Sequence, residues 1–176
     1  MSQLSEMPNT IVLSAEVRAK AIRCVIFDID GVMTDCKLYL AADGSEIKAV
    51  NVRDGLGIKL LMKNGIEVAV ISGRPSEAMA KRLAFLGVKY VWLNTEEKLP
   101  AFESLLHTLG IAAHECAHMG DDVPDLPLFA RVGLAIAPGD AHAKARAAAQ
   151  LVTSARGGDG AIREAVDFIL AAQGHG

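Results

Sequence analysis

The sequence predicts an α/β fold: a Rossmann-like parallel sheet with helices on both faces and a projecting β-hairpin. Three observations lead there. Short β-branched apolar runs recur too far apart for simple hairpins, a helical stretch separates most of them, and the runs are apolar at nearly every position. A run without alternation is covered on both sides, which a parallel sheet between two helical layers provides.

The elements follow in order. Residues 1–20 are polar and irregular apart from Ile11–Leu13, so they are expected to form an arm, helical or loose, ahead of one domain over 21–176. Cys24–Phe27 is the first buried strand. Lys37–Leu40 and Ile47–Val50 are extended runs around Asp43-Gly44, a dipeptide suited to tight turns, and predict the hairpin. An isolated hairpin is marginal in water, so Leu38, Leu40, Ile47 and Val50 need a covering surface, for which an oligomer contact is expected. A helix over Gly55–Asn64 can be capped by Asp54 and closed by Gly65. Strand Glu67–Ile71 precedes a helix with Pro75 in its first turn and Gly87 at its end. Strand Tyr90–Leu93 and helix Glu96–Leu109, stopped by Gly110, come next. Strands Cys116–Met119, Gly133–Ile136 and Leu151–Thr153 complete the sheet; Ala141–Ala149 has good helix composition, and Ala161–Ala172 is the last helix.

Composition narrows the function. At 176 residues and 51% hydrophobic, the chain suits one globular domain. A net charge of -3 without a run of either sign argues against a nucleic-acid partner. No apolar run reaches the roughly 20 residues that cross a bilayer, and the first residues lack a signal-peptide pattern, so no membrane partner and a cytoplasmic location are expected. Cys24, Cys36 and Cys116 have no zinc or disulfide spacing and read as buried or idle thiols.

The chemistry lies at strand ends. Asp28-Ile29-Asp30-Gly31 follows the first strand, at the carboxyl end where open α/β sheets bind ligands. Gly120-Asp121-Asp122-Val123-Pro124-Asp125 repeats the design after a later strand. Carboxylates converging on one edge would repel one another, and a hard divalent cation such as Mg²⁺ relieves that while accepting their oxygens. Ile71-Ser72-Gly73-Arg74-Pro75 sets a hydroxyl and backbone N–H groups at what reads as a helix start, suited to an anion. Lys98 follows the next strand and can bring a positive charge. Read alone, Ser72 is a cap and Lys98 a solvated helix residue; their order between two acidic turns is what joins them.

That order, Asp28/Asp30, Ser72, Lys98 and Asp121–Asp125, resembles the four motifs of the haloacid dehalogenase-like phosphotransferases from Cys24 onward. The resemblance implies Asp28 as nucleophile and Asp30 as acid, then base. It implies Ser72 and Lys98 as phosphoryl contacts. Mg²⁺ would be held by Asp28, the Asp30 carbonyl and Asp121, with Asp122 or Asp125 behind. The acid at position 30 favours a phosphatase over an ion pump.

The stretches from Asp35 to Ser72 and from Ser72 to Lys98 are filled by hairpin, helix and strand, leaving no room for a cap domain. The hairpin, Asn51-Val52-Arg53-Asp54-Gly55, Ser72–Pro75, Arg82 and Gly157-Gly158-Asp159-Gly160 are similar to the 3-deoxy-D-manno-octulosonate 8-phosphate phosphatases of lipopolysaccharide biosynthesis. This implies a homotetramer built on the hairpins, each site closed by a neighbour. The phosphorylated sugar acid would contact Asp30, Asn51, Val52, Arg53, Asp54, Gly55, Arg74, Arg82 and Lys98. Arginines suit its planar oxyanions. A nine-carbon sugar-acid 9-phosphate fits the same set, and a non-catalytic phosphosugar-binding subunit is the alternative of another class. The Arg156–Gly160 stretch reads as a lid or a plain loop.

His114-Glu115-Cys116-Ala117-His118 matches a zinc-protease pattern that requires a helix. Here it overlaps a predicted strand, where residues four apart are about 13 Å apart and cannot share one ion. His107 and His142 read as surface residues.

Overall fold

Six parallel strands in the order β5-β4-β1-β6-β7-β8 form the sheet in the computed structural model, which describes residues 13–175. In chain order the elements are α1 (Ala15–Ala19), β1 (Cys24–Phe27), β2 (Tyr39–Leu40), β3 (Glu46–Ile47), α2 (Val52–Lys63), β4 (Glu67–Ile71), α3 (Glu77–Leu86) and β5 (Tyr90–Trp92). Then follow α4 (Lys98–Leu109), β6 (Cys116–Met119), α5 (Leu126–Phe129), β7 (Leu134–Ala137), α6 (Ala143–Ala148), β8 (Leu151–Val152) and α7 (Ala161–Ala172). β1 is central, with Phe27 level with Val70 of β4 and Met119 of β6.

Period-two alternation splits each central strand between two cores. Val25 and Phe27 meet Ile58 and Leu61 of α2, Leu83 of α3 and Val166 of α7. Cys24 and Ile26 face Phe102 and Leu105 of α4 and Leu128 of α5. Each fully buried side chain of this kind contributes roughly 1.5–3 kcal/mol. These two cores hold the strand ends, and therefore the residues beyond them, in register. No further domain is inserted among the described residues, and β2 and β3 form the separate antiparallel hairpin.

Several boundaries differ from the sequence reading. α2 starts at Val52, because the Asn51 side chain, in extended backbone, accepts from Arg53 N at 2.8 Å. Asp54 does not cap it; its carboxylate accepts from Arg163 N (2.8 Å) and Gly160 N (3.3 Å), fastening α2 to the start of α7. α3 starts at Glu77 with Ser76 as cap, so Pro75 lies before the helix. The hairpin ladder is shorter than expected, and its turn is closed by Asp43 Oδ1, which accepts from Ser45 N at 2.9 Å. Cys36 is exposed, whereas Cys24 and Cys116 are buried. Of the arm, α1 is tied down by Arg18 Nη1, which donates to Gly133 O at 2.8 Å; Ile11 and Val12 lie outside the described residues.

Gly157 and Gly158 pack on the loop after β1. A Cβ on Gly157 would sit 1.9 Å from Gly31 O, and Gly158 N donates to Val32 O at 3.0 Å. In this structure the glycine-rich stretch thus braces that loop from below.

Candidate active site

β1, β4 and β6 end level with one another, so Asp28, Ser72 and Gly120-Asp121 leave the sheet along one edge. Lys98 opens α4 just after β5. A cavity of about 490 Å³ lies there, lined by Asp28, Asp30, Ser72, Arg74, Lys98, Asp121, Asp122 and Asp125, with Cys36, Gly73, Glu96 and Pro124. Asn51, Val52, Arg53, Asp54, Gly55 and Arg82 do not line it. Val52 is 79% exposed on α2, Asp54 is buried against α7, and the Arg82 guanidinium lies 5.7 Å over the Phe85 ring. A Cβ on Gly55 would strike Arg82 Nη2 at 2.6 Å, so these two residues pack on each other. Ser72 is buried, but its N–H donates to Trp92 O at 2.9 Å, and Gly73 to Ser76 separate it from α3. α3 thus starts beyond this loop, and Ser72, Gly73 and Arg74 line the cavity ahead of the helix and not in its first turn.

A buried ionic knot fixes the centre. Lys98 Nζ donates to Asp28 Oδ2 and to Asp125 Oδ1, each at 2.6 Å. Asp125 Oδ1 also meets His118 Nε2 at 2.8 Å, and its Oδ2 accepts from Asp121 N (3.0 Å) and Asp122 N (3.3 Å). Burial acts to raise the Asp125 pKa, but the His118 contact, helped by Lys98, outweighs it and holds the carboxyl well below the usual range. Asp28 moves up because burial outweighs the Lys98 charge. Burial acts to lower the Lys98 pKa, and Asp28 and Asp125 more than reverse that.

Asp121 has no such cation. Burial, then the neighbouring Asp125, Asp28 and Asp122 charges, push it up to about 7. Gly31, at φ 79°, lies directly over it: a Cβ there would be 2.0 Å from Asp121 Oδ2.

This donor set fits a small hard cation. Asp28, Asp121 and Asp125 each offer an oxygen, all within 4.8 Å of one another. Ligand oxygens around Mg²⁺ at about 2.0–2.1 Å span a similar distance. Asp125 is already engaged by Lys98, His118 and two N–H groups, so it orients the others, and Asp121 is the carboxylate that most needs a positive partner. The Asp30 carboxylate is not in this trio.

Four residues to which the sequence reasoning gave no place in the site, Lys48, Glu46, His118 and Cys36, lie against it. Lys48 Nζ contacts Asp30 Oδ1 and is 3.0 Å from Glu46 Oε1, while Glu46 Oε2 accepts from Arg74 Nη2 at 2.8 Å. His118 is fully buried, with Nδ1 3.2 Å from Ile26 O. Its segment is half 3-10 turn and half strand, which fits the rejection of the zinc-protease pattern. Cys36 Sγ lies 3.9 Å from Asp121 Oδ2 at the cavity wall; partial burial and that carboxylate raise its pKa, keeping it a thiol. The signals were an ionisable residue inside a strand and a charged pair two apart in a hairpin.

A sequence model of the haloacid dehalogenase-like hydrolases matches residues 93–164. Over 164 residues the chain is 44% identical to the 3-deoxy-D-manno-octulosonate 8-phosphate phosphatase KdsC of Escherichia coli K12, covering 92% of this chain and 87% of that protein. The chain belongs to this phosphatase family, within the haloacid dehalogenase-like hydrolases. Among solved members, the Yersinia pestis phosphatase superposes with a TM-score of 0.90 at 42% identity, covering 92% of this chain and 87% of that one. The Moraxella catarrhalis phosphatase, solved with magnesium, phosphate and KDO, gives 0.88 at 36% identity over 91% and 92%. The family's fold thus coincides with the sheet described above, and that magnesium agrees with the cation the carboxylate trio accommodates.

Proposed function

We propose that this chain hydrolyses 3-deoxy-D-manno-octulosonate 8-phosphate to the free sugar acid and phosphate, in the lipopolysaccharide pathway, as a Mg²⁺-dependent cytoplasmic enzyme. The observation that carries it is the Asp28 carboxylate, held by Lys98 beside Asp121 at the sheet edge, in a chain 44% identical to such phosphatases.

Bound Mg²⁺ would be held by Asp28 and Asp121, with the Asp30 carbonyl, and would screen the phosphate from these carboxylates. The protein's own groups do the rest. Lys98 and Ser72 hold the phosphoryl oxygens. An Asp28 oxygen attacks phosphorus as the P–O bond to the sugar breaks, and Asp30 passes a proton to the leaving oxygen. Asp30, now a carboxylate, takes a proton from water as that water attacks the aspartyl-phosphate, releasing phosphate and Asp28. Positioning and charge stabilisation are the main demands of this reaction.

Arg74, on the cavity wall, is suited to the sugar-acid carboxylate. Asn51, Val52, Arg53 and Arg82 lie outside the chain's own cavity, so their contact with the sugar acid requires a second subunit of a homotetramer. The exposed Leu38, Tyr39, Leu40 and Ile47 on the hairpin support the same assembly. Asp54 and Gly55 then serve by seating α2. The test is phosphate release from eight- and nine-carbon sugar-acid phosphates with and without EDTA. Preference for the eight-carbon ester, lost on chelation, is expected; activity indifferent to EDTA, or none on either ester, rejects the proposal.

A further inference from the structure

A lysine on an exposed hairpin belongs in water, because an ammonium is strongly hydrated and a two-stranded ribbon offers little in exchange. Lys48 does otherwise. Its side chain is 3% exposed, while Leu40 and Ile47 of the same hairpin are 67% and 64% exposed. Glu46 and Lys48 flank Ile47, so strand alternation turns both inward as Ile47 turns out. Lys48 Nζ then reaches Asp30 Oδ1, and Glu46 bridges Lys48 to Arg74. A chain of alternating charge, Asp30, Lys48, Glu46, Arg74, therefore links two residues of the cavity wall.

Each aspartate of the Asp28/Asp30 pair has its own lysine, and the two lysines differ. Lys98 lies among the strand-end carboxylates, where a phosphoryl group would approach. Lys48 arrives from outside the sheet and contacts Asp30 but not Asp28. A carboxylate on a turn rotates freely unless a strong bond selects one oxygen, and a charge-assisted bond from a withdrawn ammonium does so. We infer that Lys48 is a positioning residue for Asp30: anchored by Glu46, it holds Oδ1 so that Oδ2 faces the leaving oxygen of the ester. Oδ1 accepts this bond whether or not Oδ2 carries a proton, so the contact persists through both half-reactions. The inference rests on Asp30 being the proton donor proposed above.

The experiment uses the full-length Mg²⁺-loaded enzyme and phosphate esters graded in leaving-group acidity. p-Nitrophenolate leaves without a proton, whereas a sugar alkoxide requires one. Single-turnover cleavage by Lys48→Met is expected to fall at least about 30-fold on the sugar-acid 8-phosphate, somewhat less than the roughly 10²–10⁴-fold a general acid contributes because Asp30 itself remains, while the p-nitrophenolate burst changes less than about twofold. Lys48→Arg restores most of the sugar-phosphate rate. Glu46→Gln, which loosens Lys48 without removing it, shows a smaller split of the same sense and serves if Lys48→Met does not fold. Equal losses on both esters, or none, overturn the inference. Asp30→Asn separates the two layers: if it shows no split, the assignment of Asp30 fails and takes the inference with it. A split in Asp30→Asn without one in Lys48→Met or Glu46→Gln overturns the role of Lys48 alone.

Discussion

The strand-end half of the site and the hairpin half are stabilised by different means. Asp28, Lys98, His118 and Asp125 are buried, and the strands beneath them are pinned between two hydrophobic cores. Glu46 and Lys48 ride on a hairpin whose ladder strands, Tyr39–Leu40 and Glu46–Ile47, are two residues each and whose apolar side chains face solvent. The first half is organised by the fold of one chain. The second is tied to the first by two ion pairs, Lys48 to Asp30 and Arg74 to Glu46, so its order depends on what covers it. Positioning that must be stiff is placed on the sheet, and positioning that can be adjusted is placed on the ribbon.

The sharpest blow to the stiff half is Asp28→Asn, for which phosphate release should fall by about 10⁴-fold or more with the circular dichroism spectrum unchanged. Retained activity would mean that the nucleophile lies elsewhere. Asp125→Ala strips both Lys98 and His118 of a partner, and should cost about 3–5 kcal/mol in chemical denaturation. Lys48→Met, which leaves a partly exposed Asp30, should cost about 1 kcal/mol or less. If the two variants unfold at the same denaturant concentration, the contrast between the halves collapses.

The next effect is a pH dependence of the metal-free protein. Asp121 sits at about 7 in the fold against an ordinary 3.8, so the fold favours its protonated form. The stabilisation is complete below 3.8 and disappears as pH rises through 7. Asp28, also raised, acts in the same sense. Thermal melts without metal should therefore decline between pH 5 and pH 8, and Mg²⁺ should restore the most at the upper end. A metal-free melting temperature that climbs over this interval contradicts the assignment.

The smallest effect on the single chain belongs to the adjustable half. Leu40→Asp with Ile47→Asp alters exposed positions and should change the unfolding free energy by about 0.5 kcal/mol or less. If the hairpins build the proposed homotetramer, sedimentation velocity should nevertheless show a shift to smaller species; an unaltered sedimentation coefficient rejects a hairpin-built assembly.

Most of this division was legible in the residues. Unbroken apolar runs such as Cys24–Phe27 announced strands covered on two sides, and motif order along the chain became position along one edge because the sheet is parallel. Asp54 misled because a carboxylate in a first helical turn looks like a local cap, whereas its partners Gly160 and Arg163 are on α7. Pro75 misled because a proline tolerated in a first turn is equally at home in the loop before it. His118 was discounted along with the metal pattern it completed, yet a histidine within a buried strand must find partners, and it found Ile26 and Asp125. Lys48 was readable as one of an alternating pair, but which way that pair pointed depended on tertiary packing.

The brace formed by Gly157 and Gly158 has a consequence for how the enzyme comes into being. The loop carrying Asp30 and Gly31 is translated straight after β1, yet the surface it rests on is supplied by residues that follow β8. A nascent chain that has emerged through α5 holds every charged group of the knot but not the floor beneath the loop. Turnover should therefore switch on only once Gly157 and Gly158 have emerged and docked under the loop, later than the arrival of the last charged group of the knot.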